Sequence, residues 1–228
     1  MVEASISVIV PVYNGEPYLA EALDSVLGQS RRPSQVVVID DGSQDRSANL
    51  ARRPGVELLQ QANLGAAAAR NRGIEAATGD LLAFLDADDY WPLGKLEIQA
   101  RALAEDSGID MVFGQVRHFF SPELDEGERS KLQCPEELMA GYVPGTLLIR
   151  RSTLLEVGLF SPEFRAGEFI EWFDRAQARG LKSRVLPETL LFRRIHRDNF
   201  GRREKHRRQD YLKVVKAALD RRRKTVQG

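Results

Sequence analysis

The 228-residue chain is predicted to fold as an α/β domain, a mostly parallel sheet flanked by helices, with a basic helical tail at its C-terminus. Two observations predict this. Apolar, β-rich runs alternate with segments of helical spacing through the first hundred residues, and repeated units of that size imply a parallel sheet with right-handed crossovers. Each run also ends in unusual chemistry, where such sheets bind ligands.

The elements follow in order. "SISVIVPVYN" is a strand closed by Asn14-Gly15, and Leu19, Ala22, Leu23, Val26 and Leu27 then fall at helical spacing. "QVVVIDDGS" is a second buried strand, after which Ser43 and Asp45 can start a helix reaching about Arg52. "VELLQ" is a short third strand. "NLGAAAARNRGIEAATG" is an alanine-rich helix closed by Gly79, and "LLAFLD" is the fourth strand. A helix over about Lys95–Glu105, a strand "MVFGQVRHFF" and a polar loop through 121–135 come next. The chain continues through "GTLLIRRSTLLEVGLF", a helical "GEFIEWFDRAQARG" and a strand-like "TLLFRRIH". We therefore divide it into a domain over 1–201, with halves at about 4–100 and 101–201, and a tail over 202–228.

Composition narrows the function. With 43% hydrophobic residues the chain can bury a substantial core. Lys plus Arg equals Asp plus Glu at 33 each, so no global field favours nucleic acid or an anionic membrane. The tail departs from this balance, with eleven Lys/Arg against three Asp/Glu. Its Leu212, Val215 and Leu219 share one helical face, and it is read as a solvated helix with one packed stripe. Docking on the domain, a protein partner and an anionic surface stay open for it. The single cysteine, Cys134, excludes an internal disulfide framework, and no Cys pair suggests zinc. The N-terminal apolar run is too short for a membrane span or signal core. The expected setting is cytoplasmic, with peripheral contact at the inner membrane face left open through the tail.

The strand ends gather into one acidic crevice. Pro11, Tyr13 and Asn14 end the first strand, Asp40 and Asp41 the second, and Asp86, Asp88 and Asp89 the fourth. Three carboxylates at one strand end repel each other, and burying one unpaired costs several kcal/mol, so something positive is expected there. Asp40 ends an apolar strand with a sheltered carboxylate, and Tyr13 offers an aromatic face for stacking. No G-x-G-x-x-G follows the first strand, which argues against nicotinamide binding.

The stretches "ISVIVPVYNGEPYLAEALDSVLGQS", "VVVIDDGSQDRS", "NLGAAAARNRGIEAATGD" and "LLAFLDADDYW" resemble the successive signatures of glycosyltransferase family 2. The resemblance is ordered over about residues 4–100, looser to about 200, and does not reach the tail. It implies a GT-A-type, Rossmann-like fold and sugar transfer from a nucleoside diphosphate donor to a hydroxyl acceptor; UDP is expected first because Asp40 can pair with a base imide. It also implies a divalent metal and, as the usual outcome, inversion, with retention left open. That acceptor is a glycan, a lipid-linked sugar, a small molecule or a peptide. By this resemblance Asp86 and Asp88 form the D-x-D motif, contacting ribose and metal, with Asp88 the better ligand and Asp89 a supporting partner. A hard cation, Mg²⁺ or Mn²⁺, between carboxylates and diphosphate would answer the crowding. Pro11 and Tyr13 would pack near the base, Asp40 would accept from its edge, and Arg70 would approach base or phosphates. An ion pair from Arg70 to Asp41 or Glu75 is the alternative.

The catalytic base departs from the family pattern. Many relatives carry an acidic pair resembling "GED" before the late helix, whereas here Gly167 and Glu168 are followed by Phe169. Glu168 and Glu171 are three apart and share a helix face. Glu171 is preferred, because apolar Trp172 beside it can raise its pKa toward the working pH, with Glu168 close behind. By the same resemblance, in which a late histidine often stands near the metal or diphosphate, His196 is a further metal candidate, and a neutral imidazole suits Mn²⁺ better than Mg²⁺. Arg193 and Arg194 could offset leaving-group charge. A nucleotidyltransferase should show a glycine-rich loop with Arg and Lys after the first strand, which "PVYNGEPY" lacks. A nucleotide-sugar-binding protein with weakened turnover stays open because of Phe169.

Overall fold

A computed structural model of the chain describes residues 3–164, 167–197, 212–214 and 216. Strands β1 (Ile6–Val12), β2 (Gln35–Asp40), β3 (Glu57–Gln60) and β4 (Leu81–Phe84) alternate with helices α1 (Leu19–Leu27), α2 (Ser47–Ala51) and α3 (Ala66–Ala76). Then come α4 (Lys95–Glu105), β5 (Met111–Phe120), α5 (Glu126–Arg129), β6 (Met139–Ala140) and β7 (Leu148–Arg150). Helices α6 (Arg151–Val157) and α7 (Glu168–Ala178) and strand β8 (Ser183–Ile195) follow. The strands form one sheet in the order β3-β2-β1-β4-β7-β5-β6, and β8 pairs with β5.

β1 lies between β2 and β4, parallel to both, so its two faces are covered and all its residues are buried. Val8, Val10 and Val12 face a core shared with Leu19, Leu23 and Val26 of α1 and Leu96 of α4. Ile9 faces a second core with Ile74 of α3 and Phe169 and Trp172 of α7. This alternation is the period-two signal of a central strand. Helix α3 reaches the sheet closely because residue 73 is glycine; a Cβ there would stand 2.4 Å from Ile9.

The second half is less regular than the sequence suggests. β7 inserts antiparallel between β4 and β5, which makes the sheet mixed. The segment read as a polar loop contains the short α5, and β6 pairs with β5 beyond it. β8 begins at Ser183, well before the expected "TLLFRRIH", and runs parallel to β5 with register shifts at Gln115. Of the tail, most of which lies outside the described residues, Val214 is buried, whereas Leu212, placed by spacing on the packed stripe, is 70% exposed.

Lys95 opens α4 fully buried, with its Nζ 3.8 Å from the Trp91 ring centroid and 3.5 Å from the Leu147 carbonyl oxygen. Burial drives its amine well below the ordinary lysine range. Between that lowered pKa and the unfolded value near ~10.4, the unfolded chain binds more protons, so stability rises with pH across this window. Lys95→Met keeps the volume and removes the amine. It is expected to stabilise the fold at pH 7 by about 1–3 kcal/mol and to flatten that pH slope, as read by urea unfolding at pH 7 and 9.5. Lower stability at pH 7 would mean that the ammonium–indole contact outweighs desolvation.

Candidate active site

Parallel pairing brings the carboxyl ends of β1, β2 and β4 to one edge, with Val12 opposite Asp40. Asp40 is buried. Its Oδ1 accepts from the Ser43 amide at 2.9 Å and its Oδ2 from Gln60 Nε2 at 3.0 Å. Asp41 takes three donors, Gln61 Nε2 and the Leu64 and Gly65 amides at 2.8–2.9 Å, and so pins the loop that leads into α3. Pro11 is buried opposite Ile39, while Tyr13 at the strand's exit is 50% exposed. Asn14 follows at φ +50°, its side chain accepting from the Gln44 amide, so the β1 and β2 exits are tied together.

Arg70 rises from α3 into the crevice and is buried. Its two terminal nitrogens each make a 2.5 Å ion pair, Nη2 with Asp86 Oδ1 and Nη1 with Glu168 Oε1. It pairs with neither Asp41 nor Glu75, the partners weighed from sequence. Burial works against its charge, but Asp86 and Glu168 outweigh that and hold the guanidinium firmly protonated.

The segment after β4 turns sharply, the Asp89 amide donating to the Asp86 carbonyl at 3.1 Å. It is then stitched to β8 by reciprocal Tyr90–Phe192 backbone bonds of 3.2 and 2.9 Å, and the two rings stack. This brings His196 Nε2 to 3.1 Å from Asp88 Oδ2. Asp89 is buried and accepts from the Arg194 amide at 2.9 Å. Burial, with the charges of Asp88 and Asp86, drives the Asp89 carboxyl well above the usual carboxylate range. Arg194 is buried beneath the turn, whereas Arg193 is exposed. Sequence reasoning missed the partners of Arg194: Glu21 on α1, Ser121 after β5, and the Tyr18 and Phe119 rings. None lies near it in the chain, so no local pattern carried the signal.

The two glutamates of α7 part company. Glu168, at the first turn, joins the Arg70–Asp86 chain. Glu171 is 4% exposed, and both its oxygens accept from Arg175 Nε at 3.1 Å. Arg175 in turn donates to the Val157 and Leu159 carbonyls. Trp172 is buried against Phe169 and donates to the Gly158 carbonyl. Phe169 is packed among Phe113, Phe160, Trp172 and Phe173.

The family model described as Glycosyl transferase family 2 matches residues 7–169. The chain belongs to glycosyltransferase family 2. A Rickettsia felis protein named an uncharacterized glycosyltransferase is 39% identical over 184 residues, 73% of this chain and 29% of the relative. Glycosyltransferase AglE of Haloferax volcanii is 31% identical over 189 residues, 77% of this chain and 62% of the relative. EpsJ of Bacillus subtilis, also named an uncharacterized glycosyltransferase, is 41% identical over 90 residues, 37% of this chain and 26% of the relative. The chain thus spans less than two thirds of each of these relatives' lengths. Among solved structures, S. aureus TarS residues 1–349 in complex with UDP-GlcNAc superposes with a TM-score of 0.74 at 21% identity, over 95% of this chain and 66% of that one. The fold of this family 2 member is therefore of the GT-A type.

The buried position of Phe169 makes it a core residue of α7. Phe169→Asp, which would place an acid where the sequence resemblance leads one to expect it, is expected to cost about 4 kcal/mol or more, since it opens a cavity and buries a carboxylate among aromatic rings. Thermal unfolding checks this; an unchanged Tm would place the 169 side chain at the crevice instead.

Proposed function

We propose that this family 2 member transfers a sugar from a nucleoside diphosphate sugar, a UDP-sugar first, to an acceptor hydroxyl with inversion at the anomeric carbon. The observation that carries this reading is the separation of the crowded carboxylates: Arg70 holds Asp86, the Arg194 amide holds Asp89, and Asp88 meets His196 at the crevice. The structural neighbour TarS has been crystallised with UDP and with UDP-GlcNAc, which supports a nucleotide-sugar donor. Among the described residues no helix is long and apolar enough to cross a membrane. A cytoplasmic setting is part of the proposal.

Asp88 and His196 fit a divalent ion by donor type, one carboxylate oxygen and one imidazole nitrogen. The two side chains contact each other directly at 3.1 Å, a separation that adjacent donors of an octahedral ion with bonds of ~2.1 Å would also have. Among the described residues no three such groups come together, so an ion held here would have to take its remaining ligands from diphosphate and water. Mg²⁺ or Mn²⁺ held by these two would supply positive charge to the diphosphate leaving group. Asp86, held by Arg70, is the ribose contact in this reading. The sheltered Asp40 carboxylate accepts from the base edge, and Tyr13 supplies a stacking face.

Glu168 is the base in this reading. Its carboxylate is held at the crevice by the same guanidinium that holds Asp86, whereas Glu171 is engaged by Arg175 at the covered flank of α7. The acceptor hydroxyl gives its proton to Glu168 as its oxygen attacks the anomeric carbon, and the nucleoside diphosphate leaves from the opposite face. Phe169, standing where relatives carry an acid, favours one second reading, a nucleotide-sugar-binding protein with weakened turnover.

UDP release with and without acceptor separates the two. With a turning-over acceptor, Glu168→Gln is expected to lower kcat by roughly a hundredfold while UDP affinity stays nearly constant. Glu171→Gln should lower Tm and leave kcat within a few-fold. The opposite pattern would return the base to Glu171. Asp88→Asn is expected to abolish metal-dependent UDP binding without loss of fold, and unchanged binding in calorimetry would remove Asp88 from the metal.

A further inference from the structure

We infer that Arg194 is the positioning residue for the Asp88–His196 pair, an inference that rests on the metal reading above. Its guanidinium reaches three separate segments in three directions. Nε donates to the Asp88 carbonyl at 3.0 Å, Nη1 to Ser121 Oγ at 3.3 Å, and Nη2 to Glu21 Oε2. The Tyr18 and Phe119 rings lie near the guanidinium carbon, 4.8 and 4.7 Å from their centroids. The Arg194 backbone amide holds the Asp89 carboxylate from the same position.

Each of these contacts bears on the metal ligands. The bond to the Asp88 carbonyl fixes the backbone of one ligand, and the amide bond to Asp89 fixes the residue after it. His196, the other ligand, lies two residues along the chain from Arg194, and the Tyr18 ring packs on it at 4.8 Å. Tyr18 is anchored in turn, its hydroxyl donating to Glu123, which also accepts from Ser121 Oγ. One planar fork thus joins the turn of β4, the start of α1 and the end of β5 around the pair. Lysine could keep the charge but not the three directions. Partners that orient metal ligands in this way change metal affinity by roughly 10–100-fold when removed.

The test uses the full chain with UDP and Mn²⁺ as probes. Mn²⁺ binding in the presence of UDP is read by the loss of the free-ion EPR signal, metal-free UDP affinity by calorimetry, and fold by thermal melting. Arg194→Lys is expected to melt cooperatively and to bind UDP without metal within twofold of wild type. Its apparent Mn²⁺ Kd should rise at least tenfold, toward that of His196→Ala. Wild-type Mn²⁺ affinity in folded Arg194→Lys, while His196→Ala is impaired, overturns the inference and leaves the metal reading standing. If the wild-type chain binds UDP but no Mn²⁺, the metal reading fails and the inference falls with it. Should Arg194→Lys not fold, Glu21→Gln decides, since it removes the carboxylate facing the guanidinium and spares the bond to Asp88: an Mn²⁺ Kd raised threefold or more supports the inference, and an unchanged one overturns it.

Discussion

Three carboxylates within four positions at the end of a buried strand are the constraint on which the rest of the structure depends. Left together, Asp86, Asp88 and Asp89 would repel one another in a partly desolvated site. The fold gives each a different partner. Arg70 comes from α3, the Arg194 amide from β8, and His196 from just past its end. Burial, with the charges of Asp88 and Asp86, also shifts the Asp89 carboxyl upward, toward the protonated form. The acidic turn is therefore tolerable only once the two halves of the chain have closed on each other.

That requirement accounts for the shape of the second half. β8 must deliver Arg194 and His196 to the turn, so it needs a long, fixed path across the sheet. β5 supplies it, pairing with β8 from Met111 to Phe120. The register shifts around Gln115 mark where the pair bends, and Gly114 allows it: a Cβ there would stand 2.4 Å from the Leu190 side chain. The backbone bonds between Tyr90 and Phe192 then lock turn and strand together, so that β8 is at once part of the sheet and a wall of the crevice.

The first half was legible because its signals are local. Strand runs, helix spacing at Leu19, Ala22, Leu23 and Val26, and the acidic strand ends all lie within short windows, and the fold keeps them. The second half was legible only in outline. β7 is three residues long and its antiparallel insertion depends on strands far away in sequence. β8 carries Pro187 and Glu188 in its exposed early part, which masks the period of a strand until Leu190. At the site, the acids could be named from their positions at strand ends, but their partners could not. Arg70 looked able to pair locally with Glu75, and only the docking of α7 turns it toward Glu168.

The same limit explains the two glutamates of α7. Helical spacing puts Glu168 and Glu171 on neighbouring parts of one surface, and nothing in that spacing says what covers them. The stretch 157–159, at the end of α6, does the deciding. Its Val157 and Leu159 carbonyls draw in Arg175, and Arg175 claims Glu171, while Glu168 one turn earlier is left beside Arg70. Arg70 then has a consequence for the proposed chemistry that neither carboxylate has alone. Its two terminal nitrogens belong to one rigid plane, with Asp86 on one and Glu168 on the other. A donor-side carboxylate and the proposed base are therefore set at a separation fixed by the guanidinium itself. A helix shift that moved Glu168 would have to break an ion pair to a buried charge, so the distance between donor and base is held by electrostatics rather than by packing alone.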